Sequence, residues 1–136
     1  MQWLMTLCLF LLCVKNLDLI AKNAKINPVL VEISEYEKEL FLTPAGKYTM
    51  EDILANENLT RSQKFKDYIS AHNPQPKKGD RICPISLTKA NPSCTWIIGG
   101  KSYQFCCPFC IDEFLTLAKK SPEQIKDPEH YTNRRK

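Results

Sequence analysis

The chain has 136 residues, of which 43% are hydrophobic and 25% are charged. This length leaves room for one domain, or for one small domain with appendages, and the composition excludes a wholly disordered chain. The formal net charge of +4 is too weak to indicate a nucleic-acid partner, so none is expected. The seven cysteines are the most informative feature of the composition.

Residues 1–25 are predicted to be a targeting or anchor segment. The first 14 residues, MQWLMTLCLFLLCV, carry no charged side chain. This run is short for a membrane span, which needs about 20 apolar residues, but it suits the apolar region of a secretory signal. No lysine or arginine precedes it and no clear cleavage motif follows, so a buried helix and a misplaced start codon are alternatives. We expect an exported or membrane-associated protein, with a cytoplasmic location as the alternative.

Residues 26–78 are predicted to form a helical arm and a linker. Asn27 followed by Pro28 is typical of an N-cap with proline in the first helical turn, and the apolar residues that follow fall near helical spacing. This pattern predicts a helix over roughly 28–42. A strand over residues 29–33 is the alternative, because Val-Leu-Val also favours a strand.

Two capping-box patterns predict two further short helices in the arm. Thr49 is followed three residues later by Asp52, and Thr60 is followed three residues later by Gln63. An apolar stripe continues the second of these helices, and it consists of Phe65, Tyr68 and Ile69. The proline-containing residues 73–79 then predict the linker.

Residues 79–132 are predicted to form a cysteine module. The segments 95–98 and 101–105 favour strands, and Gly99-Gly100 between them is a hairpin signal. A helix is predicted to follow, with one apolar stripe made of Ile111, Phe114, Leu115 and Ala118. The whole chain is therefore predicted to have an α+β fold.

The spacing Cys83-x22-Cys106-x3-Cys110 predicts a metal site in this module. A unit of this size buries little apolar surface and usually needs a metal, disulfides or a partner for stability. Thiolates from a turn and from a helix N-terminus can converge on one soft ion, and the helix dipole favours ionised sulfur. We expect one ion, with Zn²⁺ preferred and Cu⁺ as the alternative.

Three thiolates leave a fourth coordination position. The sequence offers Cys107, Cys94, Asp80 and His72, and an exogenous ligand is a further alternative. Cys107 is the preferred extra sulfur. His72 by itself is more typical of a capping or surface residue.

Segment 79–131 resembles a TRASH/YHS-type heavy-metal-binding domain. The resemblance lies in the Cys-Pro-x-Ser motif that begins at Cys83, the Gly-Gly-Lys-x-Tyr-x-Phe hairpin, and the Phe-Cys-Cys-Pro-x-Cys-x-x-x-Phe entry into the helix. It implies a treble-clef-like fold, Cys83, Cys106 and Cys110 as ligands, and a role in metal sensing, trafficking or resistance. From Gly46 onward the chain also resembles uncharacterised exported bacterial proteins, which implies the bacterial envelope.

Two other functions remain open on the sequence. Cys107-Pro-Phe-Cys110 before a helix resembles the glutaredoxin-like motif and predicts thiol–disulfide exchange, although too few residues follow to complete a thioredoxin fold. Alternatively, a purely structural zinc stabilises a module that binds another protein. No catalysis is expected, because the chain has only two histidines and no glycine-rich phosphate loop.

Overall fold

The computed structural model describes residues 32–135. The predicted targeting segment, the Asn27 N-cap, and Cys8 and Cys13 lie outside the described residues. The described chain contains four α-helices and one two-stranded antiparallel sheet: α1 (Glu35–Leu42), α2 (Met50–Ala55), α3 (Arg61–Lys64), β1 (Asn91–Ile98), β2 (Lys101–Phe105) and α4 (Pro108–Lys120). Two short 3₁₀ helices follow, Pro122–Gln124 and Pro128–His130. This architecture confirms the predicted α+β class.

None of the helices in residues 32–135 has both the length and the apolar character that crossing a membrane requires.

Helix α1 begins later than the sequence pattern predicts. Residues 32–34 are not helical, and the Ser34 hydroxyl accepts a hydrogen bond from the Glu37 N–H at 3.2 Å. Serine is a strong N-cap residue, and this bond satisfies one of the amides that a helix start leaves unpaired. The predicted helical start is therefore wrong at residues 32–34, while the predicted end is confirmed at Leu42.

Both predicted capping boxes are present. The Asp52 carboxylate accepts from the Thr49 N–H, and the Gln63 side chain accepts from the Thr60 N–H, each at 2.9 Å. The apolar stripe predicted after Thr60 holds only in part. Because α3 is a single turn, helical spacing stops before Ile69, whose side chain is 87% exposed.

The hairpin confirms the predicted strand pair. Gly99 and Gly100 have φ values of 60° and 71°, the left-handed conformation that a tight two-residue turn requires. Strand β1 starts earlier than predicted, because the pairing continues through an irregularity to Asn91. The segment Asn91-Pro92, predicted as a turn, is therefore the beginning of β1.

The arm and the cysteine module share one cluster of buried side chains. From the module, Phe114 on α4 packs edge-on against Phe105, with ring centroids 5.4 Å apart. From the arm, Phe41 packs edge-on against Trp96 on β1, with centroids 5.0 Å apart. The four residues of the predicted α4 stripe are all buried: Ile111, Phe114, Leu115 and Ala118. The hairpin that leads to Cys106 is therefore packed against side chains of both the arm and α4.

Helix α2 holds the turn at the other end of the hairpin. The Asp52 carboxylate accepts hydrogen bonds from the Gly99 and Gly100 N–H groups, each at 2.8 Å. The Asn56 side chain accepts from the Ile97 N–H at 3.1 Å and donates to the Ile97 carbonyl at 2.9 Å. The arm therefore supplies backbone partners that the two-stranded sheet lacks on this edge.

Candidate metal centre

Cys83 lies in a tight turn. Its N–H donates to the Thr88 carbonyl at 2.8 Å, and its own carbonyl accepts from the Leu87 N–H at 3.0 Å. These two bonds close the turn behind the thiol. The Cys83 side chain is fully buried, so the turn presents its sulfur to the interior.

The other cysteines of the predicted site lie where β2 ends and α4 begins. Cys107 is the N-cap of α4, and Cys110 lies in its first turn. The Cys110 sulfur is 3.5 Å from the Cys106 sulfur and 3.6 Å from the Cys107 sulfur. Three thiols therefore cluster around the strand-to-helix junction.

The structure brings Cys83, Cys106 and Cys110 together. Their three sulfur atoms lie within 4.8 Å of one another. A tetrahedral zinc ion with Zn–S bonds near 2.3 Å separates its sulfur ligands by about 3.8 Å, so the cluster fits a metal ion with only small side-chain movements. The cysteine cluster could hold a metal ion; metal binding by these three residues stays a prediction.

Two of the proposed fourth ligands lie beside this cluster. A second group of potential ligand atoms, also within 4.8 Å of one another, joins His72 to Cys106 and Cys107. The His72 side chain is exposed, whereas Cys106 is fully buried and Cys107 is 6% exposed. The end of the arm, just before the linker, therefore brings an exposed histidine next to Cys106 and Cys107.

Asp80 makes other contacts. Its carboxylate accepts from the Lys77 N–H at 2.8 Å and lies 3.4 Å from the Lys89 ammonium. The Lys77 amide and the Lys89 charge lower the pKa of Asp80. Asp80 belongs to neither group of clustered ligand atoms found among residues 32–135.

Cys94 is a buried thiol on β1 and is also outside both ligand groups. Burial raises its pKa to about 12, and the neighbouring thiols Cys107 and Cys106 add to the shift. Burial also raises the pKa of Cys110, with Cys83 as the next cause. In a buried site, thiols keep their protons unless a cation replaces them.

Two residues that the sequence did not assign to the metal site hold Cys106 in place. The Ser86 hydroxyl donates to the Cys106 sulfur at 3.1 Å. The Tyr68 hydroxyl donates to the Cys106 carbonyl at 3.0 Å and accepts from the Asn91 amide at 2.9 Å. Ser86 is the serine of the Cys-Pro-x-Ser motif, which was a usable signal. No local pattern connects Tyr68 with a cysteine so distant in sequence.

An ionic group fixes α3 against α4 next to the cysteines. The Arg61 guanidinium lies 3.2 Å from the Asp112 carboxylate, 3.9 Å from the Glu37 carboxylate and 4.5 Å from the centre of the Phe109 ring. Burial raises the pKa of Asp112 to about 6, and the charge of Arg61 opposes that shift. The arm thus contributes a cation to the helix that carries Cys110.

The redox alternative uses the Cys107–Cys110 pair. Both residues carry free thiols, as do the other three cysteines in residues 32–135. Their sulfur atoms are 3.6 Å apart, and a disulfide requires about 2.05 Å. Thiol–disulfide exchange between them stays a prediction.

No protein-family model matches the chain, and searches of curated proteins and of solved structures found no significant match.

Proposed function

We propose that the protein binds a soft metal ion through the sulfur atoms of Cys83, Cys106 and Cys110, with Zn²⁺ as the preferred ion and Cu⁺ as the alternative. The observation that carries this proposal is the convergence of three thiols from separate elements to within 4.8 Å of one another. Burial of apolar surface does not require sulfur from a turn, a strand end and a helix start to meet, whereas a thiophilic ion does.

The surroundings of Cys106 support a thiolate ligand. Ser86 donates a hydrogen bond to this sulfur, and donors that point at ligating atoms commonly orient them and stabilise their charge. Cys106 is fully buried, so its ionised form needs a positive partner. Cys107, whose sulfur lies 3.6 Å from that of Cys110, is the proposed extra sulfur beside these three ligands.

The proposed role is metal handling without catalysis. The resemblance of segment 79–131 to TRASH/YHS-type domains supports metal sensing, trafficking or resistance, and the apolar start of the chain supports export to the bacterial envelope. A structural zinc that holds an interaction module is the alternative role. Exchange with a chelator distinguishes them, because a structural ion resists the chelator and its removal unfolds the module.

Thiol–disulfide exchange is the second candidate function. The 3.6 Å separation of the Cys107 and Cys110 sulfurs favours it, since small side-chain rotations bring such a pair to bonding distance. Metal binding ranks higher because Cys83, which has no part in that exchange, also points its sulfur at the cluster.

Zinc binding by cysteine variants tests the proposal. The full chain carrying Cys8→Ser and Cys13→Ser serves as the reference, so that only the five described cysteines remain. Adding Cys106→Ser is expected to abolish stoichiometric Zn²⁺ binding under reducing conditions, and adding Cys110→Ser to weaken it at least about tenfold. Circular dichroism follows folding in parallel. Undiminished zinc binding by the Cys106→Ser protein would show that the site is assigned wrongly.

A further inference from the structure

We propose that the cluster has a second metal position, formed by His72, Cys106 and Cys107, which shares the Cys106 thiolate with the first. This inference rests on the proposed function, because it adds an outer ion to the site built from Cys83, Cys106 and Cys110. The ion expected at this position is again a d¹⁰ ion such as Zn²⁺, because the donor atoms are two sulfurs and an imidazole nitrogen.

The geometry provides two overlapping sets of three ligands. The ligand atoms of each set lie within 4.8 Å of one another, and Cys106 is the member common to both. A thiolate sulfur has more than one lone pair and can bridge two ions. The outer set also differs in chemistry, because it has an imidazole where the inner set has a third thiolate.

Charge permits a second ion, although a single zinc ion held by four thiolates is also a common arrangement. The thiolates of Cys83, Cys106, Cys107 and Cys110 together carry four negative charges, and one divalent ion leaves two of them uncompensated. Uncompensated charge is costly at a site where Cys83 and Cys106 are fully buried. The nearby Arg61 already lies between the carboxylates of Asp112 and Glu37. A second divalent ion neutralises the four thiolates.

Exposure makes the two positions unequal. The outer position includes the exposed His72 side chain, whereas the inner position includes the fully buried sulfur of Cys83. Three thiolates also hold a soft ion more firmly than two thiolates and an imidazole. The outer ion is therefore the one that enters last and leaves first, which gives the protein an exchangeable metal beside a retained one.

The test counts ions by native mass spectrometry during a Zn²⁺ titration under reducing, anaerobic conditions. The full chain with Cys8→Ser and Cys13→Ser is the reference, and it is expected to bind two zinc ions in two resolved steps. Adding His72→Ala is expected to reduce the count to one. His130→Ala is the matched control, because His130 is the only other histidine and is also exposed, and it is expected to keep two ions.

Cadmium NMR on the same proteins identifies the bridge. With ¹¹³Cd²⁺ the reference protein is expected to give two resonances coupled through the shared Cys106 sulfur, and His72→Ala to give one. A reference protein that binds one ion, with His72→Ala unchanged, would overturn the second position and leave the proposed function standing. A reference protein that binds no zinc would overturn both.

Discussion

The hydroxyl group of Ser86 donates a hydrogen bond to the sulfur of Cys106 across 3.1 Å. Ser86 belongs to the turn that begins at Cys83, and Cys106 follows the last residue of β2, so this bond joins two of the elements that carry the proposed ligands. It holds Cys106 in place and stabilises negative charge on its sulfur. The site is thus supported by a polar contact outside its ligand set.

Replacing Ser86 with alanine is expected to weaken metal binding without unfolding the protein. Loss of a supporting hydrogen bond to a ligand typically lowers metal affinity by about 10- to 100-fold, and the lower value is expected for a neutral hydroxyl donor. Chelator competition with Zn²⁺ measures the change. Ser93→Ala is the matched control, because Ser93 is an exposed serine on β1. Equal zinc affinity in the two variants would show that Ser86 does not support the site.

Removing the hydroxyl of Tyr68 is expected to loosen the strand-to-helix junction. Tyr68→Phe leaves the Cys106 carbonyl and the Asn91 amide without this partner, which costs about 1 kcal/mol of unfolding free energy. Urea denaturation of the zinc-loaded protein measures it. Tyr36→Phe is the control, since Tyr36 is 63% exposed. If Tyr68→Phe and Tyr36→Phe lower the unfolding free energy by the same small amount, the arm does not support the backbone at Cys106.

The sequence predicted the cysteine module well because its signals are local. A Gly-Gly turn, strand alternation and one apolar stripe are each read from neighbouring residues, and β1, β2 and α4 follow them. The convergence of Cys83 with Cys106 and Cys110 was also predictable, because their spacing places them at a turn and at a helix start. A metal bound there remains a prediction.

The contacts between the arm and the module could not be predicted in the same way. Hydrogen bonds link side chains of the arm to backbone groups far along the chain, and the arm residues are Tyr68, Asn56 and Asp52. Such long-range hydrogen bonds cannot be predicted from the spacing of residues in the sequence. The sequence offered His72 only as one of several fourth ligands, because its proximity to Cys106 depends on how the arm folds against the module. The start of α1 was misplaced because two residues, Asn27 and Ser34, both suit an N-cap.

Asp52 is expected to be a major stabilising residue of the fold. Asp52→Ala removes the acceptor for the N–H groups of Gly99 and Gly100 and also breaks the capping box of α2. Hydrogen bonds to a buried charge contribute more than neutral ones, so the unfolding free energy should fall by about 3 kcal/mol. Urea denaturation compares it with Glu51→Gln, at the exposed neighbouring acid. A loss no larger than that of the control would refute the assignment.

Two glycines with similar backbone angles are expected to respond differently to alanine. At Gly46, with φ +55°, a Cβ atom would lie 2.5 Å from the carbonyl oxygens of both Ala118 and Lys119 on α4. At Gly100, with φ +71°, a Cβ atom would meet nothing within 4 Å. Gly100→Ala should cost about 1 kcal/mol from backbone strain alone. Gly46→Ala should lower the unfolding free energy by at least about 2 kcal/mol more than Gly100→Ala, because its Cβ also meets α4. Urea denaturation measures both changes. Equal losses of unfolding free energy in the two variants would contradict the close approach of Gly46 to α4.

Metal binding is tested most directly by the mass of the full chain, purified with neither metal nor reductant added. Native and denaturing mass spectra of the same sample are compared. The account predicts a native mass higher by at least one zinc or copper ion, with the excess lost on denaturation. A native mass without metal, together with a denatured mass about two daltons low for each disulfide, would contradict it and favour thiol–disulfide exchange at Cys107 and Cys110.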